Sequence, residues 1–161
     1  HPASQAYQHM VSLYSGQQVQ SNNLMDLSKS YPLGLLSPEN GFVVRDILAI
    51  HEEALVTVTH IQDGALVYLV AGNKDTLIGA AIEAGKEARA KFGNAPRKLT
   101  LLVGCISRII FLGDDLPREL AAIWPEDHPA VGILSLGEIA RYHRDHVGLF
   151  NKTCVVGVFG E

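Results

Sequence analysis

The chain has 161 residues, 47% hydrophobic and 19% charged, so it can bury the core of one domain and is too short for two comfortable ones. Its formal net charge of -4, with no basic run, argues against a general nucleic-acid or anionic-membrane binder, because phosphates demand an excess of Lys and Arg. Cys105 and Cys154 both lie in apolar runs, which predicts buried thiols in a reducing, cytoplasmic setting rather than a disulfide framework.

The apolar stretches are interrupted before the roughly 20 residues that a membrane-spanning helix needs. The N-terminus lacks the charged, apolar and small-residue order of a signal peptide. Because the sequence starts at His1 without a Met, we expect a piece of a longer protein.

The first predicted element is a helix. Apolar residues recur at helical spacing over residues 3–14, Pro2 stands where a first turn tolerates proline, and Gly16 follows as a stop. A second, short helical segment is predicted over residues 24–27. It must end before Tyr31, since the residue that precedes a proline avoids the α region.

The pattern then changes from helical to β. Residues 32–38, with two prolines and a glycine, predict a connector. Three runs typical of strands follow, over residues 42–50, 55–59 and 65–70, and polar or glycine-containing segments separate them. These runs predict a three-stranded antiparallel meander.

The C-terminal half opens with the main amphipathic helix, over residues 76–92, closed by Gly93. Residues 99–105 form a nearly continuous apolar run, as expected of a central strand covered on both faces. The remaining predicted elements are a helix over residues 116–124, entered by Pro117, and strands over residues 130–136 and 152–159. Because helices and strands do not alternate regularly, we predict an α+β fold, a mostly antiparallel sheet of about six strands with helices packed on it.

Polar residues follow the predicted central strand. The sequence continues from Cys105 to Ser107 and Arg108, and then into an apolar segment closed by Gly113. If a helical turn begins there, Ser107 is its N-cap, the free N–H groups favour an anionic group, and Arg108 adds a bidentate donor. The alternative is that Cys105 is a small core residue and Arg108 a surface charge. Catalysis by Cys105 would need a base, and no spacing ties a histidine to it, so we expect no catalytic residue.

Glu138 stands at the end of another predicted strand, with Arg45 and Arg108 as its plausible partners. Such a pair would recognise a zwitterion, the carboxylate binding an amine and the arginine a carboxylate. Equally, it would serve as a structural ion pair.

The segment between the last two predicted strands is rich in charge and histidine. His143 and His146 would share one face of a helix and bind a metal, but further ligands are lacking. We therefore expect a solvated loop over residues 141–146 and no metal site. Asn151 and Thr153 are expected to make local bonds to the backbone where the last strand begins.

Five motifs in this order resemble the C-terminal domain of FIST proteins, a name that joins F-box proteins with intracellular signal transduction. They are Tyr31-Pro32-Leu33-Gly34, Val44-Arg45-Asp46, Gly104-Cys105-Ile106-Ser107-Arg108 with Leu112-Gly113, Gly137-Glu138-Ile139 and Phe150-Asn151-Lys152-Thr153. The resemblance covers nearly the whole chain. It implies a single FIST C-type domain over residues 1–161, a fragment of a longer protein with an N-terminal FIST domain. Between Glu138 and Phe150 the sequence departs from the family pattern, which has a Gly-rich stretch there.

The resemblance implies a cytoplasmic sensory domain, itself not an enzyme, that binds a small polar metabolite such as an amino acid. Its expected partners are the N-terminal FIST domain and a histidine kinase, cyclase or other signalling output, with no nucleic acid and no membrane. The ligand is expected near the end of the central strand, in contact with Cys105, Ser107, Arg108, Glu138, Arg45 and Tyr31. Two alternatives stay open: a haem-based nitric-oxide sensor with haem as cofactor, and a protein-interaction module coupled to a kinase or ubiquitin ligase.

Overall fold

A computed structural model describes residues 2–20, 22–37, 41–124, 128–143 and 146–161. The α-helices are α1 (Ala3–Ser15), α2 (Leu24–Ser30), α3 (Lys74–Phe92), α4 (Ile106–Leu112) and α5 (Leu116–Ile123). The strands are β1 (Leu33–Ser37), β2 (Gly41–Arg45), β3 (Ile47–His51), β4 (Ala54–Thr57), β5 (Val67–Leu69), β6 (Arg97–Cys105), β7 (Ala130–Ser135), β8 (Glu138–His143), β9 (His146–Phe150) and β10 (Cys154–Gly160). This combination of helices with mostly antiparallel strand pairs confirms the predicted α+β class. Within the described ranges, no helix is both long and apolar enough to cross a membrane.

The chain divides into two compact units, each assembled from two stretches of sequence. Unit 1 comprises His1–Gly72 and Arg141–Asn151, and unit 2 comprises Asn73–Ala140 and Lys152–Glu161. The predicted single domain over residues 1–161 stays a prediction beside this division.

Unit 1 is built on a three-stranded sheet of order β2-β1-β5 and the hairpin β3–β4. The central strand β1 is antiparallel to both neighbours. Helix α1 begins after Pro2 and ends at Gly16, whose φ of 69° suits glycine, as predicted. Its buried side chains Tyr7 and Val11 pack with Leu24 and neighbouring strand residues to form the core of this unit.

The predicted three-stranded meander is wrong except for one antiparallel pairing, that of β3 with β4. Asp46 is buried, and it interrupts the run 42–50 so that β2 and β3 are separate strands. The Asp46 carbonyl accepts the N–H of Val58 at 3.1 Å, which fixes the break. Strand β3 then pairs with β4, whereas β2 pairs with β1, which occupies most of the predicted connector 32–38. The single apolar run 42–50 therefore contains two strands that pair with different partners.

Unit 2 is built on a three-stranded sheet of order β10-β6-β7. As predicted, β6 is a central strand. It is antiparallel to β10 and parallel to β7. Helix α3 packs against β10 and α5, and Ala81, Leu102 and Ile123 form the buried core. A capping box starts α3, in which Asn73 and Thr76 each accept the backbone N–H of the other.

The expectation of one sheet of about six strands is corrected. The described strands form two three-stranded sheets and two two-stranded pairs, because each unit builds a short sheet under its own helices. The expected loop over residues 141–146 is also corrected, since β8 and β9 pair with each other across it. His143 and His146 therefore lie on strands rather than on a helix, and Arg144 and Asp145 fall outside the described residues.

Candidate functional site

Three strand ends meet at the carboxyl end of β6, within unit 2. Cys105 closes β6, and Ser135 closes β7 directly opposite it in the ladder. Thr153 precedes β10, and its carbonyl accepts the N–H of Cys105 at 3.1 Å. Glu138 begins β8, three residues after Ser135. We name this group the strand-end cluster: Cys105, Ser107, Arg108, Ser135, Glu138 and Thr153.

The Glu138 carboxylate is almost completely buried, with 1% of the residue exposed. Its Oε1 accepts the Ser135 hydroxyl at 2.7 Å, and its Oε2 accepts the Thr153 hydroxyl at 2.7 Å and the Thr153 N–H at 3.4 Å. All these donors are neutral. The ion pairs between described residues do not include Glu138. Since a buried charge is costly unless it is paired, an added cation would stabilise this carboxylate.

Arg108 is buried, 3% exposed, and forms its ion pair with Glu119 of α5. Its Nη2 also donates to the Leu77 carbonyl at 3.0 Å, and its Nη1 to the Lys152 carbonyl at 3.3 Å. Two of the expectations for this side chain are corrected: it is not a surface charge, and its carboxylate partner among the described residues is Glu119 rather than Glu138. The guanidinium joins α3, α4, α5 and the approach to β10.

Helix α4 begins two residues earlier than the predicted Ser107 N-cap requires. Cys105 holds the N-cap position in an extended conformation, so Ser107 lies inside the first turn and the predicted Ser107 cap is wrong. Cys105 is buried, as predicted, and its Sγ lies 3.2 Å from the Ser107 Oγ.

The second cysteine, Cys154, begins β10 and lies at the same strand ends. Burial raises the pKa of its thiol to about 11; Arg108 opposes this change, and Glu119 and Glu138 add to it. The thiol is therefore protonated near neutral pH.

Tyr31 and Arg45, the other two predicted ligand contacts, belong to unit 1. The Tyr31 carbonyl accepts the hydroxyl of Tyr7 at 2.8 Å. Arg45 Nη1 donates to the carbonyls of Val44 at 2.9 Å and Leu149 at 3.2 Å, and burial lowers the pKa of its guanidinium. The structure thus brings four of the six predicted residues together at the end of β6, and the role of all six in ligand binding stays a prediction.

Sequence reasoning missed Ser135 and Glu119 and misjudged Thr153. Instead of a local backbone bond, the Thr153 hydroxyl makes a side-chain bond to Glu138. The three-residue spacing of Ser135 and Glu138 around Gly137 was a signal that a turn would join them. Glu119 carries no such signal, because it reaches Arg108 only through the packing of α4 and α5. Among the described residues, no three His, Cys, Asp or Glu side chains are grouped as metal ligands.

Unit 1 also contains a cavity of about 530 Å³, between α1, β1, β4, β5 and residues 60–61. None of the six predicted ligand contacts lines it. Its wall is formed by side chains that are distant in sequence, so no local motif predicts the cavity.

These features define an α+β fold with a buried polar cluster at the end of the sheet of unit 2. A model of the FIST C domain family matches residues 3–141, which is most of the chain. The chain therefore belongs to the FIST C domain family, a family associated with signal transduction, and the resemblance seen in its motifs is confirmed. Searches of curated proteins and of solved structures gave no significant match.

Proposed function

We propose that this protein is the sensory domain of a signal-transduction protein and binds, rather than chemically converts, a small polar metabolite with an ammonium group, such as an amino acid. The observation that carries the proposal is the Glu138 carboxylate, buried among neutral donors at the strand-end cluster. An ammonium beside it would supply the opposite charge. The family's association with signal transduction supports the sensory role.

The polar groups around Glu138 suit a zwitterionic ligand. The Ser135 and Thr153 hydroxyls can rotate and offer lone pairs to an ammonium while Glu138 takes the charge. Arg108 Nε is buried and has no hydrogen-bond partner among the described residues, so it is the donor left for a ligand carboxylate. Together these groups match an amine and a carboxylate on one small molecule.

The burial of Glu138 connects binding to a change of conformation. A ligand can reach this carboxylate only if a covering segment moves, because almost none of the residue is exposed. Binding would then favour the opened arrangement over the closed one described here. A ligand that binds one conformation better than another shifts the population, which is what a sensor requires.

A thermal-shift screen against amino acids, amines and small carboxylates tests the proposal. At a ligand concentration about 100 times the dissociation constant, stabilisation should reach roughly 2.7 kcal/mol. Glu138→Gln keeps the shape and removes the charge, so we expect it to lose the stabilisation. Glu83→Gln, on the exposed surface of α3, is the matched control and should keep it. Silence of the wild type across all amines would contradict the proposal.

A second candidate function, a protein-interaction module, is favoured by the exposed edge of β7. Strand β7 pairs with β6 on one side, and no described strand pairs with its other side. Val131, Ile133 and Leu134 are all about half exposed. Parallel strands are ordinarily covered on both faces, and an uncovered apolar edge is a template for another strand.

In this second candidate, an extended apolar segment of a partner adds beside β7, as in strand addition to a sheet edge. The first partner to examine is an N-terminal FIST domain, followed by a kinase or ubiquitin-ligase component. Sedimentation velocity of the mixture should show a complex, and Ile133→Lys should abolish it. Binding by the Ile133→Lys variant equal to that of the wild type would remove this candidate.

A further inference from the structure

Unit 1 contains a cavity that the proposed polar site does not use. Its volume of about 530 Å³ falls inside the range of about 300–1,000 Å³ that small-molecule sites occupy. Ala6 and Met10 contribute the α1 side of its wall, and Leu33 and Leu55 contribute from β1 and β4. The cavity therefore has the size and the enclosing elements of a ligand site.

The wall is predominantly apolar and carries aromatic rings. Tyr7 and Tyr68 present two of them, and the Met10 thioether is a soft, polarisable contact that pairs favourably with aromatic rings. No Lys, Arg, Asp or Glu occurs among the described lining residues. An ionised ligand would lose its hydration there without gaining an ion pair, so the wall selects an uncharged molecule.

The polar groups in the wall differ in the hydrogen-bonding capacity that remains for a ligand. The Tyr7 hydroxyl donates to the Tyr31 carbonyl at 2.8 Å, and burial holds its pKa well above the ordinary value, so it stays a neutral, committed donor. The Thr57 hydroxyl donates to the Thr59 carbonyl at 2.8 Å and keeps its lone pairs as acceptors. The His60 ring is on an exposed residue that lines the cavity, and no hydrogen bond from it is described.

We propose that this cavity binds a small, neutral aromatic molecule that carries one N–H or O–H group. The ring lies against Tyr7 and Met10, and the polar hydrogen is donated to His60 or Thr57. This site is separate from the strand-end cluster in residues and in ligand chemistry. Neither proposal depends on the other.

Nuclear magnetic resonance titrations with three probes test the ligand class. Indole has an aromatic body and one N–H, naphthalene has a similar body without a donor, and indole-3-acetate adds a charge. We expect saturable shifts of the Met10 methyl signal with indole and naphthalene, and none with indole-3-acetate. His60→Ala with Thr57→Val should weaken indole by about three- to tenfold, the loss of one hydrogen bond, and leave naphthalene unchanged.

Variants of α1 test the location. Ala6→Leu fills the cavity and should abolish indole binding, whereas Gln5→Leu, an exposed α1 position outside the lining, should not. If Ala6→Leu does not fold, as judged by circular dichroism, Met10→Ala replaces it and should remove the thioether contact and weaken indole severalfold.

Three outcomes would overturn the inference: no saturable shift with indole or naphthalene, indole binding unaffected by the α1 variants, or binding of the charged probe as tight as that of indole. Haemin is the fourth probe. A Soret band that shifts in His60→Ala would assign the cavity to haem and also overturn the inference. Glu138→Gln should leave indole binding unchanged, so failure here is distinguishable from failure of the amine site.

Discussion

Arg108 donates to Glu119 on α5, to a carbonyl on α3 and to a carbonyl before β10. A guanidinium presents several donors in one rigid plane, so a single side chain can join several segments. Arg108 and Glu119 are both almost fully buried. Removing one member of such a pair leaves the other charge buried without compensation.

Glu119→Leu should therefore destabilise the protein by about 3–5 kcal/mol. The double change Arg108→Met with Glu119→Leu removes both charges and should restore much of that loss, since apolar residues of similar volume fill the same space. Urea unfolding of the wild type and both variants gives the comparison. A double variant no more stable than Glu119→Leu would show that the loss does not come from an uncompensated charge on Arg108.

The Cys154 thiol should react slowly with alkylating reagents in the folded protein. Its pKa is raised from 9.0 to about 11 by burial, so its thiolate fraction near neutral pH is about 100-fold smaller than that of an ordinary thiol. We expect iodoacetamide to label Cys154 far more slowly in the native protein than in guanidinium chloride, with peptide mass spectrometry to separate it from Cys105. Equal labelling rates in the two states would contradict this assignment.

The same pKa difference makes stability depend on pH. Between pH 9.0 and about 11 the unfolded chain releases the Cys154 proton while the folded protein retains it. Stability from this group is therefore complete below pH 9.0 and falls as the pH rises towards 11. The urea midpoint of Cys154→Ala should fall less steeply over this window than that of the wild type. Parallel profiles would exclude the thiol as the cause.

Strand β1 requires Gly34 because neighbouring side chains approach too closely for a Cβ atom at this position. A Cβ there would lie 2.7 Å from Val70 Cγ1 and 3.3 Å from Phe42 Cδ1. Gly34→Ala should cost about 1–3 kcal/mol by overpacking. Gly104→Ala in β6 is the matched control, since nothing lies within 4 Å of its Cβ position. Equal unfolding midpoints for the two variants would contradict the crowding around β1.

Helices α1 and α3 were predictable because their caps and apolar stripes are local. Gly16 and Gly93 ended them where expected. The β segments were harder, because partner choice is a tertiary property. Asp46 separates β2 from β3 as a buried residue, and its burial could not be read from the sequence. Pro32 and Gly34 are typical of connectors, so β1 was predicted as one.

The candidate site was predictable in part for the same reason. Residues that end a central strand lie near the ends of its neighbours, and Cys105 is indeed opposite Ser135, three residues before Glu138. Their hydrogen-bond partners were not predictable. The pairs Arg108–Glu119 and Glu138–Thr153 depend on how the helices and strands pack, which no local pattern in the sequence reveals. The cavity of unit 1 was not predictable either, because its wall forms only when α1 and the strands of that unit pack together.

The two units are interleaved in sequence, so the C-terminal residues complete both. The family match ends at residue 141, yet β10 pairs along nearly the whole of β6 and adds Cys154 and Val156 to the core of unit 2. A chain ending at residue 141 should lose unit 2, with poor dispersion in amide spectra and no cooperative unfolding. A chain lacking only Glu161 is the control and should remain folded. A well-dispersed spectrum and cooperative unfolding of the shorter chain would show that unit 2 does not need β10.

In the proposed site, Glu138 receives the amine of a small polar ligand. Isothermal titration calorimetry can measure this contact with two ligands: the amino acid that stabilises the protein most in the thermal-shift screen, and its N-acetyl derivative. Wild type and Glu83→Gln should bind the amino acid with saturable heat, while Glu138→Gln should not, and the N-acetyl derivative should bind to none of them. Tight binding of the N-acetyl derivative, or of the amino acid to Glu138→Gln, would show that Glu138 does not bind the amine.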